Sequence, residues 1–320
     1  MRKLTSTLLL SLVAACTTAY GQNNANPAVP GTLNYVEGQV SIDGQAMSQR
    51  SVGQANVETG QLLETGNGKA EMLLTPGVFL RLDNNSAVKM VSPSLTNTVV
   101  ELDHGRADVE VDQLYKQNHI AINQDGEQSL LVKGGLYEFD ARSHKLRVFD
   151  GKAAVFQNAG SSGGPSDAEK AVVVKGGREL TLGAEDLKTV SFDKKQSQDE
   201  LYNWSSLRSE YLGEANASLA ANYAGVDGFA GGWLWSSGLY GYTWLPGEGA
   251  FLSPFGYGFY SPYYLYGGGG YFGRGGYGYG RVGARSGYAS GAVRSGSLGA
   301  GLHGSAGGFH GGGGGGGGHR

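Results

Sequence analysis

The sequence predicts an all-β domain followed by one amphipathic helix and a glycine-rich tail. Three observations carry that prediction. Between Gly31 and Asp193, short stretches alternate apolar and polar residues and are broken by glycine, asparagine and aspartate, the pattern of short strands joined by tight turns. No run with helical spacing interrupts them, which assigns the region to the all-β class. Glycine, 57 of 320 residues, gathers toward the C-terminus, so composition divides the chain near residue 225 into a part able to bury a core and a part with too little apolar material for one.

In chain order the first element is a leader. "MRKLTSTLLLSLVAACTTAYGQ" has a charged start at Arg2 and Lys3 and an apolar stretch from Leu8 to Ala15. That stretch is too short for a stable membrane span, and residues 1–21 read as an export signal. Two processing outcomes stay open. Val13-Ala14-Ala15-Cys16 resembles a lipobox, which would make Cys16 a lipidated N-terminus, whereas Ala19-Tyr20-Gly21 before Gln22 fits ordinary cleavage. Cys16 is the single cysteine, so the mature chain has no internal disulfide and no thiol nucleophile. No later run reaches the roughly 18 apolar residues of a membrane span. The expected location is outside the cytoplasm, in a bacterial periplasm or outer envelope, soluble or lipid-tethered.

The strands follow. "LNYVEGQVSID" alternates around Gly38, Pro76-Gly77 marks a hairpin inside "GKAEMLLTPGVFLRLDNNSAVKMV", and a polar turn follows at Asp83-Asn84-Asn85. Further strands fit "TVVELDHGRADVEVD", "HIAINQ", "QSLLVKGGLYEFDA", "KLRVFDGKAAVFQ", "AVVVKGGRELTLG" and "KTVSFD". Three of these share a module in which His104-Gly105-Arg106, Asp150-Gly151-Lys152 or Gly176-Gly177-Arg178 separates two strands. The expectation is a turn whose glycine supplies positive φ and whose following cation stays in solvent. Successive turns of that kind imply stacked hairpins, β-solenoid-like rungs or a sandwich over residues 31–193.

"GQLLETGNGKAEMLLTPGVFLRLDNNSAVKM", Gly60 to Met90, resembles the core motif of FecR-type domains, and the later strands to about residue 190 are similar to that family's. The resemblance implies a periplasmic all-β module. In that family's founding members the domain relays signals from an outer-membrane receptor to a sigma factor through a membrane-crossing segment. This chain has a cleavable leader in place of the cytosolic segment and membrane helix, so the resemblance speaks for the fold and against direct control of a sigma factor.

"SQDELYNWSSLRSEYLGEANASLAANY", residues 197–223, predicts the helix. Ser197 and Glu200 fit a capping box, and Leu201, Trp204, Leu207, Tyr211, Ala215 and Leu219 recur every three or four residues as one apolar face. Packing on the protein's own sheet is the expected use of that face. Asn203 and Asn216 lie in glycosylation-like triplets and read as coincidences. Residues 231–266 then gather rings among glycine and proline, and residues 267–320 form a low-complexity tail expected to be disordered.

Function classes narrow accordingly. The formal charge of −3 gives no footprint for nucleic acid. No nucleophile elbow, zinc-protease motif or phosphate loop occurs, and Asp108 and Glu110, on one strand face, read as a solvated acidic edge. Asp103 and His104, adjacent on a strand, should point apart. The expectation is a non-enzymatic envelope binding or structural protein without cofactor or metal. Its contact candidates are Trp233, Trp235, Trp244, Phe255, Tyr257 and Tyr260, held free of the β domain to meet an envelope protein or a cell-wall glycan. The alternative is a periplasmic signalling component related to FecR-type regulation.

Overall fold

The computed structural model describes residues 26–157, 171–226 and 228–265. The leader with Cys16, Tyr266 and the glycine-rich stretch 267–320 lie outside the described residues. The chain opens with β1 (Leu33–Ile42), which bulges at Gly38, the short β2 (Gln45–Met47) and the long β3 (Leu62–Thr75). Pro76-Gly77 makes the expected hairpin into β4 (Val78–Leu82), with Thr75 opposite Val78. Then come β5 (Ser86–Ser94), β6 (Asn97–His104), β7 (Arg106–Val111), β8 (His119–Gln124), β9 (Glu127–Lys133) and β10 (Gly135–Asp140). The series ends with β11 (Lys145–Val148), β12 (Lys152–Phe156), β13 (Val172–Lys175), β14 (Arg178–Thr181) and β15 (Thr189–Ser191).

The glycine-centred modules are corners rather than hairpins. β6 pairs with β5 and β8, while β7 pairs with β4 and β10; β11 pairs with β10 and β14, while β12 pairs with β9 and β13. The chain therefore passes at Gly105, Gly151 and Gly176-Gly177 from one arm of the sheet to the other, as strands do at the corners of folded-over sheets. Positive φ is needed at a corner as much as in a hairpin, so the local signal is the same. The corners stack closely: a Cβ on Gly135 would lie 2.1 Å from the Asp150 carbonyl oxygen, which leaves glycine alone room there.

Two arms result. Arm A runs β13-β12-β9-β8-β6-β5 into the first half of β3, and arm B runs from the second half of β3 through β4-β7-β10-β11-β14-β15. β13 and β14, near opposite ends of that path, are joined by two residues, so the sheet nearly closes. Alternate residues point inward: Met72, Leu80, Val109 and Phe139 from arm B meet Val88, Val100, Ile122 and Val155 from arm A in one buried core.

The helix α1 (Glu200–Asn222) covers the outer face of arm B together with two hairpins, β16 (Gly232–Ser236) with β17 (Gly241–Leu245) and β18 (Ala250–Leu252) with β19 (Gly258–Tyr260). Its N-cap is Asp199, whose side chain accepts from the Tyr202 amide; Ser197 lies two residues too early for the expected capping box. A second core, built from Leu73 and Phe79 of the sheet, Leu212 of the helix and Tyr242, Trp244 and Phe259 of the hairpins, joins these layers. Gly213 lets helix and hairpin touch, since a Cβ there would lie 3.2 Å from the Gly258 carbonyl oxygen.

Candidate functional site: a sealed acidic layer under an aromatic cap

On arm B, the positions that alternate with the core carry charge. Glu71 on β3, Arg81 on β4, Asp108 and Glu110 on β7 and Glu138 on β10 all point outward, and each is buried. Asp108 and Glu110 are thus not a solvated edge: α1 lies over them. The helix meets this layer with its polar side. Ser205 Oγ donates to Asp108 Oδ2 at 2.8 Å, Ser209 Oγ donates to Glu110 Oε1 at 2.6 Å, and Arg208 donates to Glu71 Oε1 at 2.9 Å. Leu201, Ser205, Arg208, Ser209, Leu212 and Asn216 form the buried stripe, while Leu207 and Tyr211 of the expected apolar face are 44% and 46% exposed. The matching of carboxylates to hydroxyls and arginines outweighs the apolar spacing, because an unpartnered buried charge is far costlier than an exposed leucine.

Charge balance within the layer is uneven. Arg81 donates to Glu71 Oε2 at 2.8 Å and also bonds Glu110, and Asn34 Nδ2 donates to Glu71 at 2.8 Å. Burial pushes the Glu71 carboxyl up, but the charges of Arg208 and Arg81 together overcome it and hold the group down at about 2. Asp108 moves the other way: burial and then the neighbouring charge of Glu138 push it well above the usual carboxylate range. Asp112 is raised well above that range too, by burial and by Glu110 beside it. Around the rim, Arg106 pairs with Asp199 and, at 3.4 Å, with Glu138, Arg147 pairs with Glu138 and Glu179, and Lys69 bonds Glu200 at 2.7 Å. Arg106 is therefore not the solvated corner cation that its position after Gly105 implied, whereas Lys152 and Arg178 are exposed as expected.

The aromatic segment is a cap on this arm rather than a free arm of its own. Trp244 is fully buried between Phe251 and Phe259, with ring centroids at 5.1 and 5.6 Å. It is withdrawn from the surface because β17 lies between the sheet, the helix and the second hairpin, so both of its faces are covered. Trp233 is half-buried against Phe79, Trp235 packs edge-on to Tyr240 and Tyr242, and Phe255 packs edge-on to Tyr202. Tyr257 is half-buried with its hydroxyl 3.3 Å from Glu210, and Tyr260 is half-buried and stacks on Tyr264 at 6.0 Å. The six candidates are thus one buried residue and five half-buried ones. Among the described residues of this segment the exposed rings are Tyr240, Tyr263 and Tyr264, with Tyr263 at 71%.

Two asparagine side chains that carried no signal as a pair hold the cap. Asn34 accepts from the Tyr242 amide at 2.7 Å and donates to the Tyr242 carbonyl at 2.9 Å, serving β17 as a neighbouring strand would. Asn216 accepts from the Tyr260 amide at 2.8 Å and donates to the carbonyls of Trp244 and Tyr260. Fully buried and fully used, Asn216 offers nothing to a glycosylating enzyme.

Asp103 and His104 do touch, contrary to simple alternation. A register shift places Ala87 opposite His104 but Val88 opposite Leu102, and this bulge turns the two adjacent side chains to one side, with Nδ1 and Oδ2 2.9 Å apart at an exposed position. A pocket of about 450 Å³ lies between the Ser253–Gly256 turn and the corner at Gly134, Gly135 and Asp150. Asp112 lines it, but both of its carboxylate oxygens are covered. Among the described residues no group of three His, Cys, Asp or Glu is placed to hold a metal, and no helix is long and apolar enough to cross a membrane.

Comparison with known proteins adds little beyond this geometry. No family model and no curated protein matches the chain. Two solved structures of a "putative anti-sigma factor" from Parabacteroides distasonis are similar to it at 12% identity and a TM-score of 0.34. They cover 42% and 43% of this chain, which in turn spans about three-fifths of theirs, 61% and 62%.

Proposed function

We propose that the protein is a non-enzymatic module of the cell envelope, exported to the periplasm or outer envelope, that presents the rim of its aromatic cap to a protein partner. The observation that carries this reading is the division of labour among the rings. Trp244, Tyr242 and Phe259 complete a core, while Tyr263, Tyr264 and Leu265 follow directly on the last strand and stay 71%, 38% and 40% exposed. Exposed apolar and aromatic groups gathered at one end of a cap favour contact with another macromolecule. Asp108 and Glu110, which share a strand face as an acid-base pair would, are held under α1 by Ser205 and Ser209, where a substrate would have to displace the helix.

Envelope fractionation of a Tyr263→Ala/Tyr264→Ala variant tests the reading. The expected result is loss of retention with unchanged melting, and full retention would reject the rim as the contact. Trp244→Ala is the contrast, lowering stability by about 3–5 kcal/mol because it empties the second core. A glycan partner is a second reading, favoured by the near-parallel Tyr260–Tyr264 stack at 15°, which offers a sugar ring a flat face. Pull-down on isolated peptidoglycan, lost on deleting the rim tyrosines, separates it from a protein partner. A signalling role rests on the resemblance of Gly60–Met90 to FecR-type domains, and calls for a sigma factor or receptor encoded beside this chain.

A further inference from the structure

Arm A carries a row of charge unlike any on arm B. Lys152 on β12 stands directly opposite Lys133 on β9 and Lys175 on β13, so three lysines occupy consecutive cross-strand positions. All three are exposed, and none makes an ion pair among the described residues. Like charges in direct cross-strand register destabilise a sheet, and every cation facing α1 on arm B has a carboxylate beside it. Protection of a free edge accounts for Lys175 on the end strand, but not for Lys152, which lies on a strand paired on both sides, or for Lys133 on the strand beyond it. Of the described carboxylates at this corner, Asp150 accepts from the Gly151 amide on Oδ1 at 2.8 Å, and both carboxylate oxygens of Asp112 are covered.

The row has an apolar neighbour. Val173 and Ala154 are in register on the next outward positions, and Ala154 stands opposite Leu130. Val173 is 46% exposed and Val132 37%, with Ala154 and Leu130 half-buried. Lysines in one line beside shallow aliphatic side chains in the next form a flat amphipathic face. A soluble polyanion would use the lysines and leave the valines in water, whereas a bilayer surface with anionic headgroups uses both.

We propose that this face of arm A, centred on Lys133, Lys152 and Lys175, docks on an anionic lipid surface. The test is co-sedimentation of the full chain with mixed phosphatidylcholine–phosphatidylglycerol vesicles and with phosphatidylcholine alone. Neutralising the row as K133Q/K152Q/K175Q should reduce partitioning to the anionic vesicles roughly a hundredfold at low salt, from about fivefold per lysine at the surface. The loss should shrink as salt is added. Binding to the neutral vesicles should not change, and melting of the variant should be unchanged or higher because like charges have been removed. A control variant, K116Q/K188Q/K195Q, alters three exposed lysines elsewhere and should bind as the unaltered protein does. Unchanged partitioning of the first variant, an equal loss in the control, or binding to soluble polyphosphate without binding to vesicles would each overturn the proposal.

Discussion

The outer faces of the two arms reverse what their residues would suggest. Arm B directs Glu71, Arg81, Asp108, Glu110 and Glu138 away from the core and buries all five, whereas arm A directs Val132 and Val173 outward and leaves them 37% and 46% exposed. The strands themselves are alike, both alternating apolar inward residues with others outward. What differs is the partner. Arm B is covered by a helix whose buried side is made of hydroxyl, guanidinium and amide groups, so Glu71, Asp108 and Glu110 each find a partner on it, while Asp108 Oδ1 and Arg81 Nη2 have none among the described residues. Burial in this molecule is thus assigned by complementarity between layers, and polarity alone does not locate the solvent.

The sharpest way to break that comparison is Arg81→Ala. Arg81 has no exposed surface and is shared by Glu71 and Glu110, so its loss strands two buried carboxylates, one of which keeps Arg208. Removing one member of a buried ion network costs about 3–5 kcal/mol. Lys89→Ala on arm A, at an exposed strand position, should stay within about 0.5 kcal/mol. Urea titrations of both variants measure the difference, and equal midpoints would mean that the buried layer does not hold arm B.

The next effect in size concerns the asparagines. Asn216→Ala leaves the Tyr260 amide and two carbonyls without their partner inside the cap, and should cost about 1–3 kcal/mol. Asn123 on arm A only accepts from Gln128, at 3.1 Å, and its alanine variant should again fall within about 0.5 kcal/mol. Hydrogen exchange sharpens the result: Asn216→Ala should speed exchange at Tyr242 and Tyr260 and leave arm A amides unaltered. Uniform acceleration would show that cap and sheet open together.

How far this contrast could be read from sequence depends on how local its causes are. The strands and the Pro76-Gly77 hairpin were legible because alternation and turn chemistry act over a few residues, whereas the bulge that the structure places at Gly38 was not read from the alternation around it. The corners at Gly105, Gly151 and Gly176-Gly177 were legible as turns but not as corners, since the pairing that distinguishes them involves strands far along the chain. The buried side of α1 was hidden by a reading that weighted apolar spacing alone. Ser205, Arg208, Ser209, Leu212 and Asn216 recur at three and four residues just as regularly, and Asp108, Glu110 and Asp112 alternate on one strand face. Matching those two polar periodicities was the available signal. Nothing comparable marked Asn34, whose partner at Tyr242 lies 208 residues away.

The smallest predicted effect is also the most specific to arm B, because it has the opposite sign to an ordinary lost contact. Asp108 sits under Ser205, with Glu138 and Asp199 as like charges and Arg106 as the opposing one, and its folded pKa is raised by burial and by Glu138. An acid whose folded pKa is raised binds its proton more tightly in the folded state, so stability falls as pH rises from the ordinary carboxylate range toward the folded value. Glu71 works in the other direction: held at about 2, its contribution is present above the ordinary range and is lost as pH falls toward 2. Asp108→Asn keeps an acceptor for Ser205 and removes the titrating proton. The variant should melt close to the unaltered protein at mildly acid pH and be the more stable of the two at pH 8, with the acid limb unchanged because Glu71 is intact. A variant destabilised at every pH would show that Asp108 is ionised and useful as a charge beneath the helix, and the layer would then be a balanced ion network instead of an acid-rich one.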